Sequence, residues 1–124
     1  MKALKFKMLV LALISTVGLL IWGCSGNSDA AKDGRTAPLL EGMGDLHHPI
    51  TTSNKIAQRY FNQGLALSYG FNHKEAERSF REVARLDSNS AMAWWGVALV
   101  LGPNINAAMD NAEVPNAYAA IQKA

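Results

Sequence analysis

The apolar residues of this 124-residue chain are crowded at its front, and that placement limits what can fold behind them. Residues 8–22 form an apolar run broken only by Ser15, Thr16 and Gly18, preceded by Lys2, Lys5 and Lys7. At about 15 residues the run is shorter than the roughly 20 that a membrane-spanning helix needs, and it suits the core of a secretory leader. The hydrophobic share of 49% therefore overstates what is left to build a core. One small domain at most is expected from the remainder. Charge behaves the same way. Of 12 basic residues, three stand in the leader, so nine face all 10 acidic ones from residue 24 onward. The formal net charge of +2 thus belongs to the leader. Behind it there is no basic stripe of the kind that binds nucleic acid, and no nucleic-acid partner is expected.

The run ends at Ile21-Trp22-Gly23-Cys24, which resembles the lipobox of bacterial lipoproteins. The resemblance implies cleavage after residue 23 and lipidation of Cys24, with Ser25 behind it favouring the outer membrane where that sorting rule applies. Trp22 departs from the pattern, since a smaller residue usually stands there. Cys24 is the only cysteine, which excludes intrachain disulfides and thiolate metal clusters. Two or three acyl chains hold a protein stably on a bilayer at about 0.8 kcal/mol per buried methylene. The expected organisation is a lipoprotein leader at 1–23, a lipidated tether and strap at 24–50, and helical repeats at 51–124.

Residues 25–38 are small and polar, with Gly26, Gly34 and Pro38 as breakers; they read as a flexible tether. A linker of about 25 residues reaches roughly 25–30 Å. Leu39, Leu40, Met43, Leu46 and Ile50 make the later half more apolar, and Gly42-Met43-Gly44 disfavours a helix, so this part could lie along the first helices as an extended strap. From Thr51 the pattern becomes helical. Residues 51–54 supply candidate N-caps, and Ile56, Tyr60, Phe61, Gly64, Leu65 and Leu67 follow at the spacing of a buried face. Residues 70–72 end that helix, and Asn72 with Glu75 has the form of a capping box for the next. That second helix turns Ala76, Phe80, Val83 and Ala84 inward, with Glu77 and Arg81 as an i,i+4 pair outside. Residues 87–90 break the chain, 91–101 form a third and unusually apolar helix stopped by Gly102-Pro103, and Pro115 opens a fourth that runs through Ala124.

Helix–turn–helix units call for a repeat test. Tyr60, Gly64, Ala76 and Phe80 match the aromatic, small, alanine and aromatic positions of the tetratricopeptide pattern, and Trp94 stands 34 residues after Tyr60. Val97 and Ala98 follow it, and Ala117, Ile121 and Ala124 close the second unit after an insertion of about seven residues relative to the family length. Over residues 54–124 the chain resembles tetratricopeptide-repeat proteins. His47-His48-Pro49-Ile50, residues 58–65, Phe71-Asn72-His73 and residues 91–96 resemble an uncharacterised group of bacterial secreted members, usually much longer than this chain. Gln63 in place of leucine and Ser88 in place of the turn proline depart from the pattern. The resemblance implies an all-α fold of about two antiparallel helical hairpins, with Tyr60, Gly64, Ala76, Phe80, Trp94 and Ala98 as repeat core. Fewer than about three repeats rarely stand alone, so the chain is expected to be the front of a longer protein or to be completed by a partner.

By the family's register, the concave ligand-binding face carries Phe61, Leu65, Tyr69, Met92, Trp95 and Leu99. The Lys, Arg and Asn that clamp acidic C-termini in this family are missing there, and an apolar peptide or amphipathic helix suits the face better. The competing reading is that the strap or further repeats cover it. His47, His48 and His73 invite a metal, yet a structural site wants about four ligands; the adjacent pair is expected to hydrogen-bond backbone groups, and His73 to be an exposed neighbour of a helix cap. No phosphate loop, nucleophile elbow or zinc-protease helix is present, and Glu75 and Glu77 point different ways on their helix. The expectation is a non-catalytic interaction scaffold without cofactor or metal. It is anchored by lipid in the bacterial cell envelope, on the periplasmic face with the outer membrane favoured, and binds an unidentified protein or peptide. The alternative is the N-terminal part of a larger secreted enzyme or metal-binding protein.

Overall fold

A computed structural model describes residues 34–124; the expected leader, Cys24 and the front of the expected tether lie outside them. Four helices follow in order: α1 Lys55–Tyr69, α2 His73–Leu86, α3 Ala91–Leu101 and α4 Val114–Ile121, the last entered through a 3-10 turn at Asn111–Glu113. The described residues contain no strand, and each helix packs on its chain neighbours, an all-α arrangement. No helix among them is long and apolar enough to cross a membrane.

Local chemistry sets the boundaries. Asn54 caps α1, its side-chain oxygen accepting from the N–H groups of Ile56 and Ala57. At the other end the chain turns back through Phe71, which adopts φ 59°. The Phe71 and Asn72 N–H groups there donate to the carbonyls of Ser68 and Leu67, closing orphan acceptors of the helix end. Residues 70–72 are short enough to make α1 and α2 antiparallel neighbours, and Thr52 beside α1's start hydrogen-bonds Asp87 beside α2's end. The expected Asn72–Glu75 capping box does not form. Asn72 makes no side-chain cap bond, and Glu75 is taken by Arg78 at 2.9 Å.

The core is centred on Phe80, fully buried between α1 and α3. A Cβ added at Gly64 of α1 would sit 2.7 Å from the Phe80 ring, and one at Gly96 of α3 only 2.5 Å. Two glycines on different helices thus admit one aromatic ring, and the three helices approach across it. Phe61 packs on the same ring, with centroids 5.5 Å apart. The inward residues Ala76, Val83 and Ala84 are buried as their spacing suggests. Ile56 is not, at 44% exposure, because it lies in the first turn of α1, at the edge of the layer. Pro115 sits in the first turn of α4, which ends at Ile121, before Ala124. Ala117 and Ala120 are the residues that α4 buries.

Candidate functional site

Residues 36–50 run beside α1 and α2 in non-helical conformation, and the helices hold them chiefly through main-chain atoms. The Thr36 N–H donates to Glu82 Oε2 at 2.7 Å, and its carbonyl accepts from Arg78 Nε at 2.9 Å. The Tyr60 hydroxyl donates to the Ala37 carbonyl at 2.9 Å. Gln63 bonds both sides of the next peptides: its Nε2 donates to the Pro38 carbonyl (2.9 Å), and its Oε1 accepts from the Leu40 N–H (2.6 Å). Further on, Gln58 donates to the His48 carbonyl and accepts from the Ile50 N–H, while Asn62 accepts from the His48 N–H. Ala37 is fully buried. Residues 36–38, read from sequence as the end of a flexible tether, are therefore fastened to the helices, because the Thr36 N–H and all three carbonyls there meet side-chain partners.

Glu82 anchors one end of this contact. Its side chain is fully buried and pairs with Arg85 at 2.6 Å. Burial alone would push the carboxyl's pKa up, but the hydrogen bond from Arg85 and those from Thr36 outweigh it and hold the group below its ordinary value. A buried charge is tolerated only when paired and hydrogen-bonded in this way. Gln63 is likewise buried, and its remaining bond goes to Ser79 Oγ at 3.0 Å. The departure from leucine at this position is thus what joins α1, α2 and the strap.

The structure divides the six expected groove residues. Phe61 and Leu65 are buried, at 0% and 6% exposure, with the His48 ring 5.8 Å from Phe61. Tyr69 at 71% and Leu99 at 44% are open. Met92 and Trp95 are half-buried against the core and share a helix face with Leu99. The open part of the expected face is therefore Tyr69 at the end of α1 together with a stripe on α3. Of the residues expected to form a repeat core, Tyr60, Gly64, Ala76 and Phe80 are buried. Trp94 and Ala98 are only partly so, with Lys123 Nζ 4.1 Å from the Trp94 ring centroid. The more intimate contact on α3 belongs to Gly96.

The histidines differ from expectation. His47 faces the Asn62 amide through Nδ1, at 3.2 Å, and His48 uses its main chain, its ring going to Phe61. Neither imidazole bonds a backbone group. His73 is partly buried rather than an exposed cap neighbour. Both its ring nitrogens are enclosed without a hydrogen-bond partner, and its ring is edge-on to Phe71 at 6.1 Å. Among the described residues, no three of His, Cys, Asp and Glu gather as metal ligands would. Cys24, the expected lipidation site, lies outside the described residues.

No protein-family model, curated protein or solved structure matches this chain.

What sequence reading missed is the amide row Gln58, Asn62 and Gln63. The signal available was three uncharged amides within six residues of one helix, a polar stripe inside a face otherwise spaced for burial. Gln63 registered only as a substitution, since its partners lie in a segment without periodicity.

Proposed function

We propose that this chain is a tetratricopeptide-type protein-interaction scaffold without catalysis of its own. It is tethered in the bacterial envelope through an acyl group on Cys24, on the periplasmic side and by preference at the outer membrane. The observation that carries the interaction reading is the way α1 and α2 hold an extended segment by its main chain, with Tyr60, Gln63 and Gln58 as the gripping side chains. Helical hairpins with that property suit peptide recognition. Because residues 36–50 occupy that face, the surface left for a partner is the α3 stripe of Met92, Trp95 and Leu99. Its apolar and aromatic character fits an amphipathic helix or an apolar peptide, and nothing in the charge balance calls for nucleic acid.

The test is site-specific photo-crosslinking of the full chain in bacterial cells. A photoreactive residue at Leu99 is expected to give a discrete protein adduct, and one at Arg81, on the outer face of α2, none. Equal labelling from both positions, or none from Leu99, would remove the scaffold reading. The anchor is tested separately: Cys24→Ser should abolish acyl mass and membrane retention, and a protein of unchanged mass and retention would refute lipidation.

A further inference from the structure

Between Leu40 and His48 the strap bows away from α1. Gly42 and Gly44 adopt φ values of 72° and 76° there, with no atom within 4 Å of either Cβ position, so the turn is made by backbone conformation that glycine alone adopts freely. None of the N–H groups of residues 41–47 hydrogen-bonds another described residue. Under the bow lies a cavity of about 330 Å³ walled on one side by Leu39, Met43 and Leu46 and on the other by Arg59 and Asn62. That volume falls at the lower end of the roughly 300–1,000 Å³ range of small-ligand sites.

Arg59 is what makes the cavity specific. Arg78, Arg81 and Arg85 each hold a glutamate, at 2.9, 2.8 and 2.6 Å, and Arg35 is also engaged. Arg59 has no ion pair or hydrogen bond among the described residues. The one carboxylate in the wall, Glu41, is exposed and forms no bridge with it. A second cavity, of about 430 Å³, adjoins Arg59 from the side of Tyr60, but its carboxylate Glu82 is already neutralised by Arg85.

We propose that the cavity under the bow binds a small anionic amphiphile, its carboxylate or phosphate head on the Arg59 guanidinium and its short apolar chain against Leu39, Met43 and Leu46. A guanidinium offers a planar fork of donors that matches either head group. A cationic ligand would be repelled, and a neutral one would leave Arg59 partly desolvated without compensation. The apolar wall adds the second requirement: a bare ion would leave Leu46, itself 38% exposed, uncovered. The site shares no residue with the α3 stripe.

The probe is octanoate, set against inorganic phosphate, on the full chain in a nonionic detergent. The readout is the rate at which phenylglyoxal modifies individual arginines, followed by mass spectrometry. Octanoate at a few times its Kd should slow modification of Arg59 by about fivefold and leave Arg81 unchanged. Phosphate alone should protect Arg59 weakly. The variant Leu46→Asn changes an exposed side chain and should lose most of the octanoate protection. Undiminished protection in Leu46→Asn, or phosphate protecting as well as octanoate, would reduce the site to a bare anion contact and overturn the amphiphile. No slowing at Arg59 by either probe would overturn the site altogether.

Discussion

The front hairpin and the rear pair of helices solve the same packing problem in opposite ways. In α1 and α2 the inner layer includes buried polar groups, Gln63, Ser79 and Glu82, and each is satisfied by a neighbour or by the strap. In α3 the residues are almost all apolar, yet the covering stops short. Leu99 stays 44% exposed, and beyond it Val114, Tyr118 and Ile121 of α4 are 46%, 65% and 46% exposed. A helix that is apolar on every side normally lies deep in a core. The front is thus a surface closed by hydrogen bonds to the chain itself. The rear is an apolar surface that nothing among the described residues closes.

The two halves meet at Phe80, so its removal should cost both. Phe80→Ala is expected to destabilise the fold by about 3–5 kcal/mol, read as loss of a cooperative helical melt. A melt that keeps its midpoint would mean that the halves are held together elsewhere. Gly96→Ala is expected to cost about 1–3 kcal/mol through overpacking, partly offset by alanine's better helix propensity of about 1 kcal/mol. A stabilised Gly96→Ala variant would show that the Phe80 ring has room to move.

Breaking the front alone is the next step down. Gln63→Leu places an apolar residue at this position but strands the Pro38 carbonyl and the Leu40 N–H. A loss of about 0.5–1.5 kcal/mol for each broken hydrogen bond follows, with faster amide exchange at Leu40. Unchanged exchange there would show that the strap does not depend on Gln63. Acid should loosen the same contact at its other end. The folded pKa of Glu82 is lowered from an ordinary 4.5, so its stabilising contribution is complete above that value and is lost as pH falls through the folded pKa. Glu82→Gln should flatten this part of the acid profile. A profile identical to the parent's would place the acid sensitivity elsewhere. The smallest effect belongs to the rear: Lys123→Ala removes a cation–π contact worth about 0.5–1 kcal/mol at an exposed site, and only the α3–α4 pair should respond.

Much of the helical frame was legible because it rests on local chemistry. The limits of α3 follow from the break at 87–90, where the Ser90 N–H donates to the Asp87 carbonyl, and from Gly102-Pro103 after it, and Asn54 is one of the four candidate caps ahead of α1. The inward sides of α1 and α2 follow from spacing alone, except at Ile56, where a first-turn residue has no layer above it. The capping box misled because Glu75 has a stronger claimant in Arg78, one turn away. The strap's fastening could not be read in the same way. Its partners stand 8 to 46 residues distant, and main-chain recognition leaves no pattern in the side chains being recognised. His73 failed for a related reason: a position beside a helix cap says nothing about Phe71 folding over it in a left-handed turn.

Recognition through the backbone also governs how the strap can change over generations. The side chains of Glu41 and Asp45 carry none of the fastening, so substitutions at those two positions should be tolerated in any relative that keeps Gln58, Asn62 and Gln63. Gly42 and Gly44 are held by their positive φ, and Ala37 by burial, since a larger side chain at a fully buried position would lift the segment off Tyr60. Descendants of this chain should therefore diverge first at Glu41 and Asp45, while the glycines that shape the bow and the amides that hold it stay put.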